Sequence, residues 1–403
     1  MIKVEEALDL ILKKIRPLGS ERVGLTDALG RVLSEEIRSS LDHPPWDTSA
    51  MDGYAVRLTD TGSASKSKPV RLRVVEEIPA GRLPEKKIKP GEAARIMTGA
   101  PMPEGADGVV KIEETRRGEG TVEIFAPGDP EFIRKRGEAI RTGEGVLPAG
   151  TVLRPAEIAL LASIGRFFLP VHRRPIVSIL STGDELAEID EPRGPEKILN
   201  SNGHGLSAQV RSIGAVPIVL GIARDRQEDL RRRLLDALFA DFVLVSGGVS
   251  MGDYDFVRET LSELGAEMSF WKVAMKPGAP IAFGTMGEKP VFGLPGNPVS
   301  SMVTFEQFVR PALLKASGCR EVHRPMVRAI LIEAIEKPPG KRHFLRAVAT
   351  LKDGRYEVRP AGSQDSHVLM SLVQANAFLV LPEESGKIKA GESVCIQLLE
   401  RFP

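Results

Sequence analysis

Cysteine is nearly absent: Cys319 and Cys395 are the only two in 403 residues. That scarcity excludes a disulfide framework and fits a reducing cytosol. A net charge of +1 leaves no broad electrostatic footprint for nucleic acid or an anionic membrane. The run Arg231-Arg232-Arg233 falls in a helix-like segment and reads as a solvated face. No window approaches the roughly 18 uninterrupted apolar residues of a spanning helix. At the N-terminus, "MIKVEEALDLILKKI" puts Val4, Ala7, Leu8, Ile11 and Ile15 on one helical face, the pattern of a folded helix rather than a signal peptide. A soluble, cytoplasmic protein is expected. Several catalytic signatures are missing too. There is no G-x-x-x-x-G-K-[ST] and no G-x-S-x-G, and the six histidines lack zinc-ligand spacing. "GHGLSA" (203–208) matches G-x-G-x-x-A but lacks the preceding strand that dinucleotide binding requires.

What is present is a chain too long for one hydrophobic core, rich in turn formers, with 39 Gly and 30 Pro. Residues 1–45 read as helical. From 47 to about 140, short alternating runs such as "VRLRVVEEI", "GVVKIEE" and "GTVEIFA" read as a β-rich lobe. Helical character returns at "RPAEIALLASIG" (154–165), with Pro155 suited to a first turn, so the lobe reads as an insertion. Strands then alternate with helices: "PIVSIL", "VPIVLGIA", "DFVLVSGG", "PIAFG" and "PVFGL". Such alternation argues a doubly wound parallel α/β sheet. From about 321, "VRAILIEAIEK", "RYEVRP", "AFLVL" and "SVCIQLL" suggest a small barrel or sandwich. The fold class is α/β with β lobes, in three parts. These are 1–170 (helical parts 1–46 and 141–170 around a lobe at 47–140), 171–320 for the central sheet, and 321–403.

Ligands of open α/β sheets bind at the carboxyl ends of the strands. Here those ends carry "STGDEL" (181–186), Arg224-Asp225, "SGGVSMGDYD" (246–255) and "LPGNPVSS" (294–301). One such loop is an ordinary turn; four converging ones argue a binding site. Glycines and hydroxyls at Ser181, Thr182, Gly183, Ser246, Gly247, Gly248 and Ser250 suit a phosphate or other oxyanion. Glu185, Asp225 and Asp255 are hard oxygen ligands of the kind that hold Mg²⁺ beside substrate phosphates. Lys272 and Lys276, four apart before a strand, read either as neutralising phosphate or as plain solvated lysines. In "LPGNPVSS", Asn297 and Pro298 make a competent helix start. The small residues Pro295, Gly296 and Ser300 leave that start open to an anion. The cluster "HPPWDTSAMDGYAV" (43–56) sets Trp46, expected to be buried, beside Asp47 and Asp52, and "RIMTGAPMPEGAD" (95–107) carries Thr98 in a Gly/Pro-rich turn.

In order and spacing, "SAMDGYAV", "RIMTGAPMPEGAD", "STGDEL", "SGGVSMGDYD", "KPGAP" and "GLPGNPVSS" resemble the molybdopterin molybdenumtransferase family of the MoeA type. Gephyrin's C-terminal domain belongs to the same family. The resemblance runs over essentially the whole chain and implies a molybdopterin-binding-like central domain. It implies a reaction: adenylylated molybdopterin and molybdate (or tungstate), with Mg²⁺, give molybdenum cofactor and AMP. It also implies a homodimer whose active site joins one subunit's α/β domain to the other's N-terminal lobe. The molybdopterin adenylyltransferase and acceptor molybdoenzymes are the implied further partners. Carried over residue by residue, it assigns Asp52, Thr98, Glu185, Asp225, Asp255, Lys272 and Lys276 to catalysis. Of these, Asp225, Asp255 and Glu185 take the metal. Ser300, Ser366 and one of Arg342 and Arg346 fall to the molybdate side, the choice between the arginines staying open. Two positions depart from the family pattern: Ala279, where a lysine is common, and Ala139, where an acid is. Rival readings are an adenylyltransferase and a gephyrin-like scaffold.

Overall fold

The computed structural model describes residues 1–192, 194–248 and 256–399. Its centre is a six-stranded sheet of β1 (Ile176–Thr182), β2 (Val216–Ala223), β3 (Phe242–Ser246), β4 (Glu267–Phe270), β5 (Ala282–Met286) and β6 (Lys289–Leu294). The spatial order is β2-β1-β3-β6-β5-β4. The first four are joined in parallel, whereas the β6–β5 and β5–β4 pairings are antiparallel. The reason is local. Only Gly287 and Glu288 separate β5 from β6, too short for a crossover, so the two form a hairpin. The edge strand β4 has no counterpart in the expected strand set; "EMSF" is too short and too half-polar to stand out.

Both faces of the sheet are covered, as parallel strands require. Helices α1 (Ser201–Ser212) and α4 (Pro298–Thr304) bury Leu206, Val210, Val299 and Val303 on one face. Helices α2 (Gln227–Ala237) and α3 (Phe256–Glu263) bury Leu230, Leu234, Val257 and Leu261 on the other. In the first core the rings of Phe283 and Phe292 lie 4.9 Å apart. Each such buried ring contributes roughly 1.5–3 kcal/mol. Helix α4 continues through one π turn (Phe305–Val309) into a helix at Arg310–Ala316. Pro311 lacks the N–H that an α-helical ladder needs there, and the π turn absorbs the break.

The C-terminal strands β7 (Met326–Leu331), β8 (Arg342–Lys352), β9 (Arg355–Pro360), β10 (Ala377–Leu381) and β11 (Ser393–Leu398) run in the order β8-β9-β7-β11-β10, and β10 closes onto β8. A five-stranded barrel results. The short strand Met275–Lys276 adds to β8 in parallel, with Lys276 opposite His343. This ties the barrel to the central domain and proves decisive for the site.

The helical reading of 1–46 is corrected: only Val4–Lys14 is α-helix. It buries Val4, Ala7 and Ile11 in the core of the central domain, not against the lobe. Pro17 and Gly19 follow, and the chain turns extended. Ser20–Gly24 then pairs with Phe168–His172, and Ile37–Arg38 with Gly145–Leu147. Likewise, 141–170 is helical only at Pro155–Ser163. The two flanks of the lobe thus zip together as strands. Between them, six strands from Gly53 to Ile124 form a sheet buried on both faces.

Candidate functional site

The carboxyl ends of β1, β2, β3 and β6 surround a cleft of about 600 Å³. Ser181, Thr182, Gly183 and Glu185 line it from β1, and Asp225 from β2. Ser246, Gly247 and Gly248 line it after β3, and Pro295, Gly296, Asn297 and Pro298 after β6. Asp255 and Ser250 lie outside the described residues. Gly247 adopts φ +96°, and a Cβ there would meet the Thr182 carbonyl at 2.7 Å. A side chain would therefore push β1 and β3 apart at the mouth of the cleft. Asp184 and Asp225 exchange backbone N–H···carboxylate bonds of 3.2 and 3.4 Å, which pin the β1 and β2 loops together.

Sequence reasoning missed the asparagines that organise this cleft. Asn200 Oδ1 accepts from Ser181 Oγ (2.8 Å) and from the Gly203 N–H (3.1 Å). Asn202 Nδ2 donates to Ser246 Oγ (2.9 Å) and to the Gly296 carbonyl (2.8 Å), stapling β3 to the "LPGN" turn. The signal was Asn200-Ser201-Asn202 at a helix start, overlooked beside "GHGLSA". Thr182 Oγ1 and Asn202 Oδ1 are buried without a hydrogen-bond partner among the described residues. Buried polar atoms are nearly always paired, so these two await a ligand or water. Among the described residues no group of three His, Cys, Asp or Glu could hold a metal. Glu185 and Asp225 do share the cleft. One or two carboxylates completed by water and substrate phosphate match the habits of Mg²⁺.

A second cleft of about 660 Å³ adjoins the first at Pro280 and lies between the central domain and the barrel. Lys276, Ser300, Lys337, Lys341, His343, Arg346 and Ser366 line it, with Ala279 also on its wall. Lys337 is buried, which lowers its pKa, and its Nζ donates to the carbonyls of Pro338, Lys341 and Glu383. Lys337, Lys341 and His343 were not singled out; they come from "EKPPGKRH", of which Arg342 alone was named. The two candidate arginines sit differently. Arg342 is bound by Glu5 and by Glu383 (3.0 Å) and lines neither cleft, while Arg346 lines the second. Lys272 lines neither cleft either; its carbonyl accepts the Ile2 N–H at 3.3 Å. At the start of α4, the Val299 N–H is already taken by the Ser366 carbonyl at 3.1 Å. The helix end is therefore less open than the turn sequence suggests.

His343 is 4% exposed, and its pKa is pushed down to about 4 by burial first, then by Lys337, Lys276 and Lys341. The unfolded chain binds its proton near pH 6.5 and the folded chain only near 4. Stability is therefore complete above pH 6.5 and falls as the pH drops towards 4. His343→Gln is expected to flatten this dependence by up to about 3 kcal/mol. Denaturant titrations at pH 5 and 7 check it; equal pH slopes in both proteins would refute it.

In the lobe, Asp52 Oδ1 accepts both the Thr98 N–H (2.7 Å) and the Thr98 hydroxyl (2.8 Å), and these bonds hold its pKa down. The structure brings the two predicted residues together, although they line neither cleft of their own chain. Gly53 is required beside them, because a Cβ there would lie 1.9 Å from the Val110 carbonyl across the sheet. Trp46 is not buried as expected: it is 44% exposed and borders a groove of about 520 Å³ with His43, Thr48, Gly99, Arg134 and Ala139. Its neighbour Asp47 is occupied by Lys135 Nζ (2.9 Å) and the Arg136 N–H (2.8 Å).

Fold and clefts together define a multidomain α/β protein with a phosphate-type strand-end site abutting a cationic pocket. Residues 2–165 match the MoeA N-terminal region (domains I and II), 178–315 a probable molybdopterin binding domain, and 328–399 the MoeA C-terminal region (domain IV). The chain belongs to the MoeA family. It is 41% identical to the molybdopterin molybdenumtransferase of Nostoc sp., over 98% of this chain and 93% of that one. Identity to the Bacillus subtilis molybdopterin molybdenumtransferase is 37%, over 99% and 94%. The crystal structure of a molybdopterin biosynthesis MoeA protein from Pyrococcus horikoshii superposes with TM-score 0.86 at 34% identity, covering 100% of both chains.

Proposed function

We propose that the protein is a molybdopterin molybdenumtransferase, the enzyme that inserts molybdenum into molybdopterin during cofactor synthesis. The observation that carries this reading is the abutment of the two clefts at Pro280. One offers glycine backbone, hydroxyls and two carboxylates; the other offers Lys276, Lys341 and Ser300 to a tetrahedral oxyanion. The finer reading takes adenylylated molybdopterin as the pterin substrate, with AMP as the second product.

Glu185 and Asp225 would hold Mg²⁺, with Asp255 as third ligand. Bound there, the ion would supply positive charge against the phosphate oxygens. Ser246 and the backbone of Gly247 and Gly248 orient the phosphate, and Asn202 keeps Ser246 in place. Lys276 sits beside the junction and stabilises developing negative charge through a field already in position. Molybdate enters as substrate between Ser300, Lys341 and Ser366. No protein thiolate is asked for, since the substrate supplies its own dithiolene. This agrees with Cys319, which burial pushes toward its neutral form. Asp52 and Thr98 act across a homodimer, completing the partner's cleft. A cytoplasmic setting fits, and no helix among the described residues is long and apolar enough to cross a membrane.

The test is incubation with adenylylated molybdopterin, Mg²⁺ and molybdate, following AMP. Molybdate-dependent AMP release is the expected result. Adenylylation of molybdopterin with consumption of ATP would point to the adenylyltransferase instead. Neither pterin binding nor AMP release would leave the scaffold reading.

A further inference from the structure

The carboxylates assigned above to Mg²⁺ leave the strand-end cleft with few side chains able to carry positive charge toward a phosphate. Its described lining carries two carboxylates, Glu185 and Asp225, and only one side chain able to bear positive charge, His367. That residue does not come from the central domain. It lies on the barrel segment 362–371, and its neighbour Ser366 lines the other cleft. The backbone of this segment is held from several sides. The fully buried Arg346 donates from its guanidinium to the Ser363 and Asp365 carbonyls (3.2 Å each) and to Ser371 Oγ (3.0 Å). Gln364 brackets the Arg346 backbone with bonds of 3.0 and 3.1 Å. The Val299 N–H of α4 takes the Ser366 carbonyl. The His367 side chain, by contrast, is exposed and has no hydrogen-bond partner among the described residues. A rigidly placed backbone carrying an unengaged imidazole at the rim of an anion site is the arrangement of a ligand contact, since ordering the ring costs little once the chain is fixed.

We propose that His367 is a substrate-contacting residue: its ring N–H meets the phosphate of the pterin substrate where the two clefts join. This makes the barrel part of the active site of the central domain. The inference rests on the function proposed above and adds to it a hydrogen-bond donor from the barrel at the rim of the strand-end cleft.

The test compares His367→Ala and His367→Gln with the unchanged protein, measuring AMP release and, separately, molybdate binding by calorimetry. His367→Ala is expected to lower kcat/KM for adenylylated molybdopterin about 10- to 100-fold, the size of one charge-assisted hydrogen bond. Molybdate affinity should stay within about twofold, because Ser366 and Arg346 are untouched. Added imidazole should restore part of the loss, and the amide of His367→Gln should fall between the two. AMP release by His367→Ala within twofold of the unchanged protein would overturn the proposal. So would an equal loss of molybdate binding, which would mean a displaced segment. Direct binding of molybdopterin decides the matter even where the unchanged protein releases no AMP. Weakening by the same factor in His367→Ala supports the contact, and equal binding removes it.

Discussion

Replacing Asp225 by Asn is expected to lower AMP release at least about 100-fold while leaving the fold intact. The side chain sits at the exposed carboxyl end of β2, and its hydrogen bond is to the Asp184 N–H at 3.2 Å. An amide oxygen accepts that bond equally well, so stability should change by no more than about 0.5 kcal/mol. What disappears is a full negative charge in a cleft where Glu185 is the other described carboxylate. The remaining activity should require far more Mg²⁺, because one of few hard ligands has become a neutral, weaker donor. A Mg²⁺ titration of AMP release, beside a thermal melt, separates the two effects. Turnover at the original rate and Mg²⁺ requirement would remove Asp225 from the metal site.

In contrast to Asp225→Asn, Arg346→Met is expected to act on stability as well as on binding. The guanidinium is 0% exposed, and burial lowers its pKa while the charge of Asp365 acts in the opposite sense. Methionine fills much of the volume but leaves the Ser363 and Asp365 carbonyls and Ser371 Oγ without their donor. An unpaired buried group costs about 1–3 kcal/mol, and water can reach the carbonyls of the exposed Ser363 and Asp365, so a loss of about 1–3 kcal/mol is expected in calorimetric unfolding. Molybdate affinity should fall more than about tenfold, because Ser366 loses its fixed position along with a nearby charge. Arg346→Lys should recover the charge but not the planar fork, and so only part of the order. Unchanged molybdate affinity in a destabilised Arg346→Met protein would reduce Arg346 to scaffolding.

The parts of the molecule that sequence reveals are those where one local rule decides. "VPIVLGIA" and "DFVLVSGG" are apolar runs that read as strands without help, although only the second strand, Phe242–Ser246, is buried throughout. The strand-end rule then located the main cleft, because topology rather than side-chain detail fixes where loops converge. The second cleft was less legible. It exists only because Met275–Lys276 pairs with β8, which brings Lys276 to His343 across some 67 residues of chain. Nothing in "EKPPGKRH" announces that partner. Asp52 and Thr98 were picked out as members of polar clusters but took their role from family likeness alone; their 2.7 Å contact is a matter of sheet register. The extended segment after Lys14 was read as helix because the amphipathic start at Val4 dominated its neighbours. Trp46 was expected inside since large aromatics usually are, yet it sits on an open groove rim.

One consequence concerns synthesis on the ribosome. The helix Val4–Lys14 finds its seat in a core that includes Val303, Phe308 and Leu313, and Lys315 Nζ caps its Leu12 carbonyl. Arg342 grips Glu5 from further along still. At a translation speed of roughly 5–20 residues per second, the helix emerges about 15–60 s before the chain that buries it. The lobe and its paired flanks, complete by residue 172, close during that interval. The nascent chain thus carries an exposed amphipathic helix beside an already folded lobe. This interval adds an exposure to chaperones and proteases that equilibrium stability does not describe.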